Sequence, residues 1–393
     1  MESKNEINPD WKADSELCLI NEASKKDYLT FDFLKTDFQK NKTERSLAIV
    51  WDGSFPPSDG ATFRTMSYIQ GLAKHLDLTL VLAWREWSNE ALQEMARDYR
   101  IKVLLVDHNL YYNTNILQEI LSKYETVLIR DFEIINAISH PNIFVDCQEL
   151  RFKLLHQLGA DEALVEDIKA KELKALNKAT KIFSISREEI GDLIGLGIPR
   201  AKLIPIHQAI DFTKFERLKL DETSNDILFL GHLTYEPNHK AVEYIAETLV
   251  PLLIEKYPKI VVHIVGFCPD DLKKYENENI KFYGSVSEEK LLEVVATCKI
   301  AIAPLTHAVG QICKVITYLA SGLPTVLTTQ AITGYENFIG QGISVCNIDN
   351  FHTKVLLQLS NPMKVNKQEL KNYEIGVVYG KVLAEIQQVL EGE

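Results

Sequence analysis

The feature that most constrains the fold is a rhythm of short apolar runs separated by helix-length segments, and it occurs twice. The first series is Leu47–Trp51, Leu78–Ala83, Val103–Val106, Val127–Ile129, Ile143–Val145 and Lys181–Ile185. Lys202–Ile206, Ala209–Asp211 and the polar connector Leu218–Asn225 then lead into a second series. That series is Ile227–Leu230, Ile260–Val265, Ile280–Phe282, Ile300–Ala303, Thr325–Leu327 and Ile343–Val345. Runs this short, without polar alternation, read as strands covered on both faces, and helices between them imply parallel β-α units. The chain is therefore predicted to be α/β, with two doubly wound, Rossmann-like domains. Two such domains present the carboxyl ends of their strands to a shared cleft, where ligands of this class bind.

The expected boundaries are an N-terminal extension over 1–45, a first domain over 46–212, a second over 213–360 and a C-terminal helical segment over 361–393. Lys153–Ala179 reads as one long helix and Arg187–Leu196 as another, stopped by Gly197. A further helix is expected to start near Pro237, since proline suits a first helical position. Lys364–Leu390 is expected to bury a stripe of Val377, Val378, Val382, Leu383 and Ile386.

Charge narrows the function. A net charge of -12 argues against a general nucleic-acid binder, whose affinity comes mostly from neutralising phosphates. The first residues lack the apolar core of a signal peptide, and no run approaches the roughly 20 apolar residues that span a bilayer. The six cysteines are scattered singly and read as buried thiols. A cytoplasmic enzyme or binding protein is expected.

Between two strands of the second series lies a helix expected from about Gly310 to Ser321. Ile312, Val315, Ile316, Leu319 and Ala320 form its apolar face, and Gly322 and Pro324 its stop signal. Its other face carries Gly310, Lys314, Thr317 and Ser321. A lysine in the first turn faces the positive end of the helix dipole, at a cost of roughly 0.3–1 kcal/mol. An anion held at the same place reverses that sign. A solvated surface lysine is the alternative reading. The Gly-bearing loop Ser58–Ala61 follows the first strand but is neither a dinucleotide fingerprint nor a P-loop.

Five segments, in order, resemble the retaining GT-B glycosyltransferases, specifically glycosyltransferase family 4. They are Phe55-Pro-Pro-Ser-Asp-Gly-Ala-Thr-Phe-Arg64, Val145-Asp-Cys-Gln-Glu-Leu150, Leu203-Ile-Pro-Ile-His-Gln-Ala-Ile-Asp211, Phe229-Leu-Gly-His-Leu-Thr-Tyr-Glu-Pro-Asn238, and the helix with Gly310, Lys314 and Ala320-Ser-Gly-Leu-Pro324. The resemblance implies a GT-B fold that transfers a sugar from a nucleotide-sugar donor, with retention of configuration and with neither metal nor cofactor. The acceptor is a glycan, a lipid or a protein. Peripheral contact with the inner face of a membrane, and homo- or hetero-oligomerisation, stay open.

By the same resemblance Lys314 and His232 are the catalytic cations, and Gly60, Asn238, His307, Gly310 and Thr317 bind the donor. Asp146 and Gln148 lie on the acceptor side. Asn238 is alternatively a residue that orders its own turn, and His307 a surface histidine. The chain departs from the family where two glutamates eight positions apart are common, since Val309 and Thr317 stand there. Gln148 replaces a histidine, and an amide cannot shuttle a proton near neutral pH. A catalytically silent GT-B subunit, or another GT-B chemistry such as epimerisation, is therefore carried alongside the transferase reading.

Overall fold

The computed structural model describes residues 17–20, 46–52, 60–84, 89–107, 114–391. The Phe55–Asp59 part of the first motif and the expected linker Gln39–Arg45 lie outside them. Two parallel sheets are present, as the rhythm of the sequence requires. The first comprises β1 (Leu17–Ile20), β2 (Ser46–Trp51), β3 (Asp77–Trp84), β4 (Lys102–Asp107), β5 (Thr126–Ile129), β6 (Ile143–Cys147), β7 (Lys181–Ser184) and β8 (Leu203–Pro205), in the order β1-β4-β3-β2-β5-β6-β7-β8. The second comprises β9 (Asp226–Leu230), β10 (Val262–Val265), β11 (Ile280–Phe282), β12 (Cys298–Ala303), β13 (Thr325–Thr328) and β14 (Ile343–Cys346), in the order β11-β10-β9-β12-β13-β14. In each sheet the order reverses beside the first strand of the doubly wound unit, so a crevice opens there at the carboxyl ends. These two crevices face each other.

The N-terminal extension contributes structure to the body. Leu17–Ile20 pairs in parallel with β4, Leu17 opposite Val103 and Ile20 opposite Val106, and so extends the first sheet at its edge.

The expected helix Lys153–Ala179 is two helices, Arg151–Gln157 and Glu162–Lys178. Gly159 takes φ +73°, and the Asp161 carboxylate accepts from the N–H groups of Ala163 and Leu164 to start the second helix. The helix near Pro237 runs Glu236–Tyr244, as its proline predicts.

The C-terminal segment crosses back to the first domain. Its last helix, Ile375–Glu391, buries Val378, Tyr379, Val382 and Ile386 in the same core as Tyr68, Ile69 and Leu72 of the Gly60–Leu72 helix. Val377 is exposed, contrary to the expected stripe, and Tyr379 occupies the buried face instead. The helices touch because Gly71 has no side chain; a Cβ there would sit 2.4 Å from Tyr379 Cβ. A Lys181–Glu385 ion pair at 3.0 Å adds a second tie.

Truncating a fully buried tyrosine leaves a large cavity, which typically costs about 3–5 kcal/mol. Tyr379→Ala is therefore expected to lower the unfolding free energy of the first domain by about 3–5 kcal/mol, with a lower urea midpoint, while leaving the second domain's transition in place. Hydrogen exchange, resolved by segment, separates the two.

Candidate active site

The interdomain cleft has a volume of about 1100 Å³, and Gly60, Asp146, Gln148, His232, Asn238, Val309, Lys314 and Thr317 all line it. The structure therefore brings together residues from both sheets that are far apart in sequence. His307 and Gly310 are not on its wall. His307 bonds Thr306 Oγ1 at 3.1 Å, in the loop after β12.

The helix carrying Lys314 runs Cys313–Ala320, shorter than expected. Gly310 is excluded because its φ is +71°, a conformation that ends helical pairing and favours glycine. Gly310 acts as a point of contact instead. A Cβ there would come 2.3 Å from the Gln148 carbonyl oxygen of the first domain. Gly60 does the same from the opposite side, where a Cβ would meet Cys313 Sγ at 2.9 Å. Two side-chain-free positions thus let the domains approach at the start of this helix.

Val315, Ile316, Tyr318 and Leu319 are the helix's buried residues. Tyr318 joins the face expected from periodicity because its hydroxyl accepts from the Leu230 N–H at 2.7 Å, at the end of β9. This bond fixes the helix against the strand whose next residues form the cleft floor.

Lys314 projects toward that floor. Its Nζ donates to Asn238 Oδ1 at 2.5 Å and lies 4.2 Å from the Phe229 ring centroid. Asn238 Nδ2 donates in turn to the His232 carbonyl at 3.0 Å. Both ends of the buried Asn238 amide are therefore used in ordering the β9 loop and in aiming the lysine, as the turn reading of Asn238 anticipates. Gly231 leaves room for this packing, since a Cβ would lie 3.1 Å from Lys314 Nζ. Burial in these neutral surroundings lowers the Lys314 pKa from 10.5 to about 7. The His232 ring stacks on Phe267 at 5.1 Å, and its Nδ1 meets Thr234 Oγ1 at 2.7 Å.

On the first-domain wall, Asp146 is a buried ion-pair partner. Its Oδ1 takes Arg64 Nε at 2.8 Å and Tyr68 Oη at 2.8 Å, while Oδ2 takes Gln148 Nε2 at 2.6 Å. A carboxylate only accepts, so the Gln148 amide nitrogen must face it and Oε1 remains as the group's acceptor. Arg64 is fully buried and also donates to the carbonyls of Ile206 at 3.1 Å and His207 at 3.3 Å. Sequence reasoning quoted Arg64 only as the end of a motif and gave it no role; an arginine one turn before Tyr68 on an otherwise apolar helix face was the available signal.

Gln311 is a second residue the sequence did not single out. Its Oε1 accepts from Gln208 N at 2.6 Å and its Nε2 donates to the Gly334 carbonyl at 2.9 Å. It therefore joins the connector after β8 to the loop before the lysine helix. Glu172 also lines the cleft, accepting from the N–H groups of Arg151 and Phe152, and burial raises its pKa to about 7. Among the described residues, no group of three or more His, Cys, Asp or Glu side chains is arranged to hold a metal ion. None of the described helices is long and apolar enough to cross a membrane.

Residues 224–361, most of the second domain, match the family model described as "Glycosyl transferases group 1". Almost nine tenths of the chain shares the GT-B fold with solved structures. Anabaena HepE, in complex with UDP and glucose, is 10% identical with a TM-score of 0.67, covering 87% of this chain and 99% of that one. Sucrose-phosphate synthase from Thermosynechococcus elongatus is 10% identical with a TM-score of 0.67, covering 89% and 100%. A putative UDP-N-acetylglucosamine 2-epimerase from Listeria monocytogenes is 12% identical with a TM-score of 0.61, covering 89% and 97%. At these identities the likeness establishes the architecture, and the chemistry must be argued from the site. No curated protein matches the chain in sequence.

A lysine with a pKa of about 7 is mostly neutral at pH 8, and an adjacent diphosphate pulls its pKa back up. Binding of UDP, used as a diphosphate probe, is expected to take up about one proton at pH 8. Affinity is expected to fall as pH rises from about 7 toward 10. Calorimetry in two buffers of different ionisation enthalpy measures the uptake, and Lys314→Met is expected to abolish it.

Proposed function

We propose that the protein is a retaining glycosyltransferase that moves a sugar from a nucleotide-sugar donor to a glycan, lipid or protein acceptor, without a bound metal. The observation that carries this reading is Lys314. A single cation stands in the first turn of a helix, at a domain junction, inside the segment that matches the glycosyltransferase family.

Departure of a nucleoside diphosphate builds negative charge on the leaving oxygens. Preorganised donors and cations aimed at that charge supply most of the rate in reactions of this type. Lys314 Nζ supplies the charge, and the N–H groups at the helix start, which have no partner within the helix, supply further donors. As the bond breaks, the growing charge favours the protonated lysine, so stabilisation is greatest where the reaction needs it. Asn238 holds Nζ in place throughout. His232, at the end of the same loop, is the second candidate cation. Gln148 presents its Oε1 to a hydroxyl of the bound sugar and takes no part in proton transfer. The related HepE structure contains UDP and glucose, which supports a nucleotide sugar as the ligand class here.

A second reading has its own observation. Val309 and Thr317 line the cleft where the resembling family often keeps glutamates, so ribose recognition by carboxylate is lost. A catalytically silent GT-B subunit that recognises a nucleotide or glycan accommodates this.

Release of nucleoside diphosphate from a panel of donors, with and without glycan and lipid extracts as acceptors, distinguishes them. The transferase reading expects turnover, and Lys314→Ala is expected to reduce kcat/KM by roughly 100-fold or more, the usual effect of losing one preorganised donor to a developing charge. Donor binding without turnover under every condition would leave the silent-subunit reading standing.

A further inference from the structure

Gln208 follows β8 on the connector between the domains. It is 3% exposed and forms part of the cleft wall. Its backbone N–H is held by Gln311, so its position is fixed from the side of the lysine helix. The two carbonyls before it, on Ile206 and His207, are held by Arg64 from the side of the first domain. The backbone is thus clamped from both domains.

Its side chain is not. Gln208 Oε1 is buried and has no hydrogen-bond partner among the described residues. A buried amide oxygen left unpaired is costly, and native structures carry few of them. An apolar side chain of the same length would occupy this position with no such penalty. A polar group kept at a cleft wall in this condition is expected where a ligand completes its hydrogen bonding.

We propose that Gln208 reads the transferred sugar, its side-chain amide hydrogen-bonding a hydroxyl or acetamido group of the glycosyl unit. The proposal rests on the glycosyltransferase reading and adds a sugar-reading residue to it. Gln148, on the same wall, offers a second neutral amide, with its nitrogen committed to Asp146 and its oxygen left to accept. Two neutral amides on one wall fit the hydroxyls of a sugar. Sites built to hydrogen-bond a hydroxyl also discriminate strongly against analogues that lack it.

The test uses Gln208→Met in the full-length protein. The nucleotide sugar is the tightest binder among UDP-glucose, UDP-galactose, UDP-N-acetylglucosamine and GDP-mannose, titrated alongside its own nucleoside diphosphate. The variant is expected to melt at the same temperature as the parent or higher in the absence of ligand, because an unpaired buried acceptor has been removed. Its affinity for the nucleotide sugar is expected to fall roughly tenfold, with affinity for the diphosphate unchanged. A lower melting temperature, an equal loss for sugar and diphosphate, or no loss for either would each overturn the role of Gln208 and leave the glycosyltransferase reading intact. Failure of the parent protein to bind any of the nucleotide sugars would overturn both.

Discussion

The buried pair of Arg64 and Asp146 is the interaction on which the cleft depends. Arg64 comes from the first helix, Asp146 from β6, and the carbonyls of Ile206 and His207 from the connector that leaves the domain. One guanidinium therefore ties together the first-domain end of the cleft. Burying such a pair earns little net stability, because desolvation offsets most of the Coulomb attraction. Its hydrogen-bond geometry is nevertheless directional, and removing either partner alone leaves an uncompensated buried charge at a cost of about 3–5 kcal/mol. The pair is better understood as a positioning device than as a source of stability. Through it Gln148 receives one fixed amide orientation, and the connector keeps its path beside the cleft.

The second domain positions its side of the site differently. There the fixed point is a helix, held by the Tyr318 hydroxyl on the β9 backbone, with Asn238 setting the height of Lys314. The two halves meet where side chains are absent. Gly310 lies against the Gln148 backbone and Gly60 against Cys313, so bulk at either position would wedge the domains apart. Lys314 thus stands on the second-domain side of the cleft and the Gln148 amide on the first-domain side.

Much of this architecture was legible in the residues. Every run expected as a strand between Leu47 and Val345 is one, because strands covered on both faces announce themselves without reference to the rest of the chain. Features fixed by local geometry were harder. Gly159 and Asp161 break what reads as a single helix, and Tyr379 displaces Val377 from the buried stripe because a glycine on another helix makes room for its ring. Within the site, Lys314 was visible as a cation at an awkward place on a helix. The roles of Arg64, Gln208 and Gln311 were not, since the bonds Arg64–Asp146, Arg64–His207 and Gln208–Gln311 span 82, 143 and 103 positions and no periodicity encodes such a pairing.

The return of the Ile375–Glu391 helix to the first domain has a consequence for how the chain comes into being. The core around Tyr68 and Leu72 needs Val378, Tyr379 and Ile386, which are made after the second domain. The second domain has its own contiguous core, complete once Tyr373 has been made. Domains usually mature in the order of synthesis, N-terminal first. Here one of the two first-domain cores lies within residues 48–203, while the other, along the first helix, lacks its covering helix until the second domain has been made.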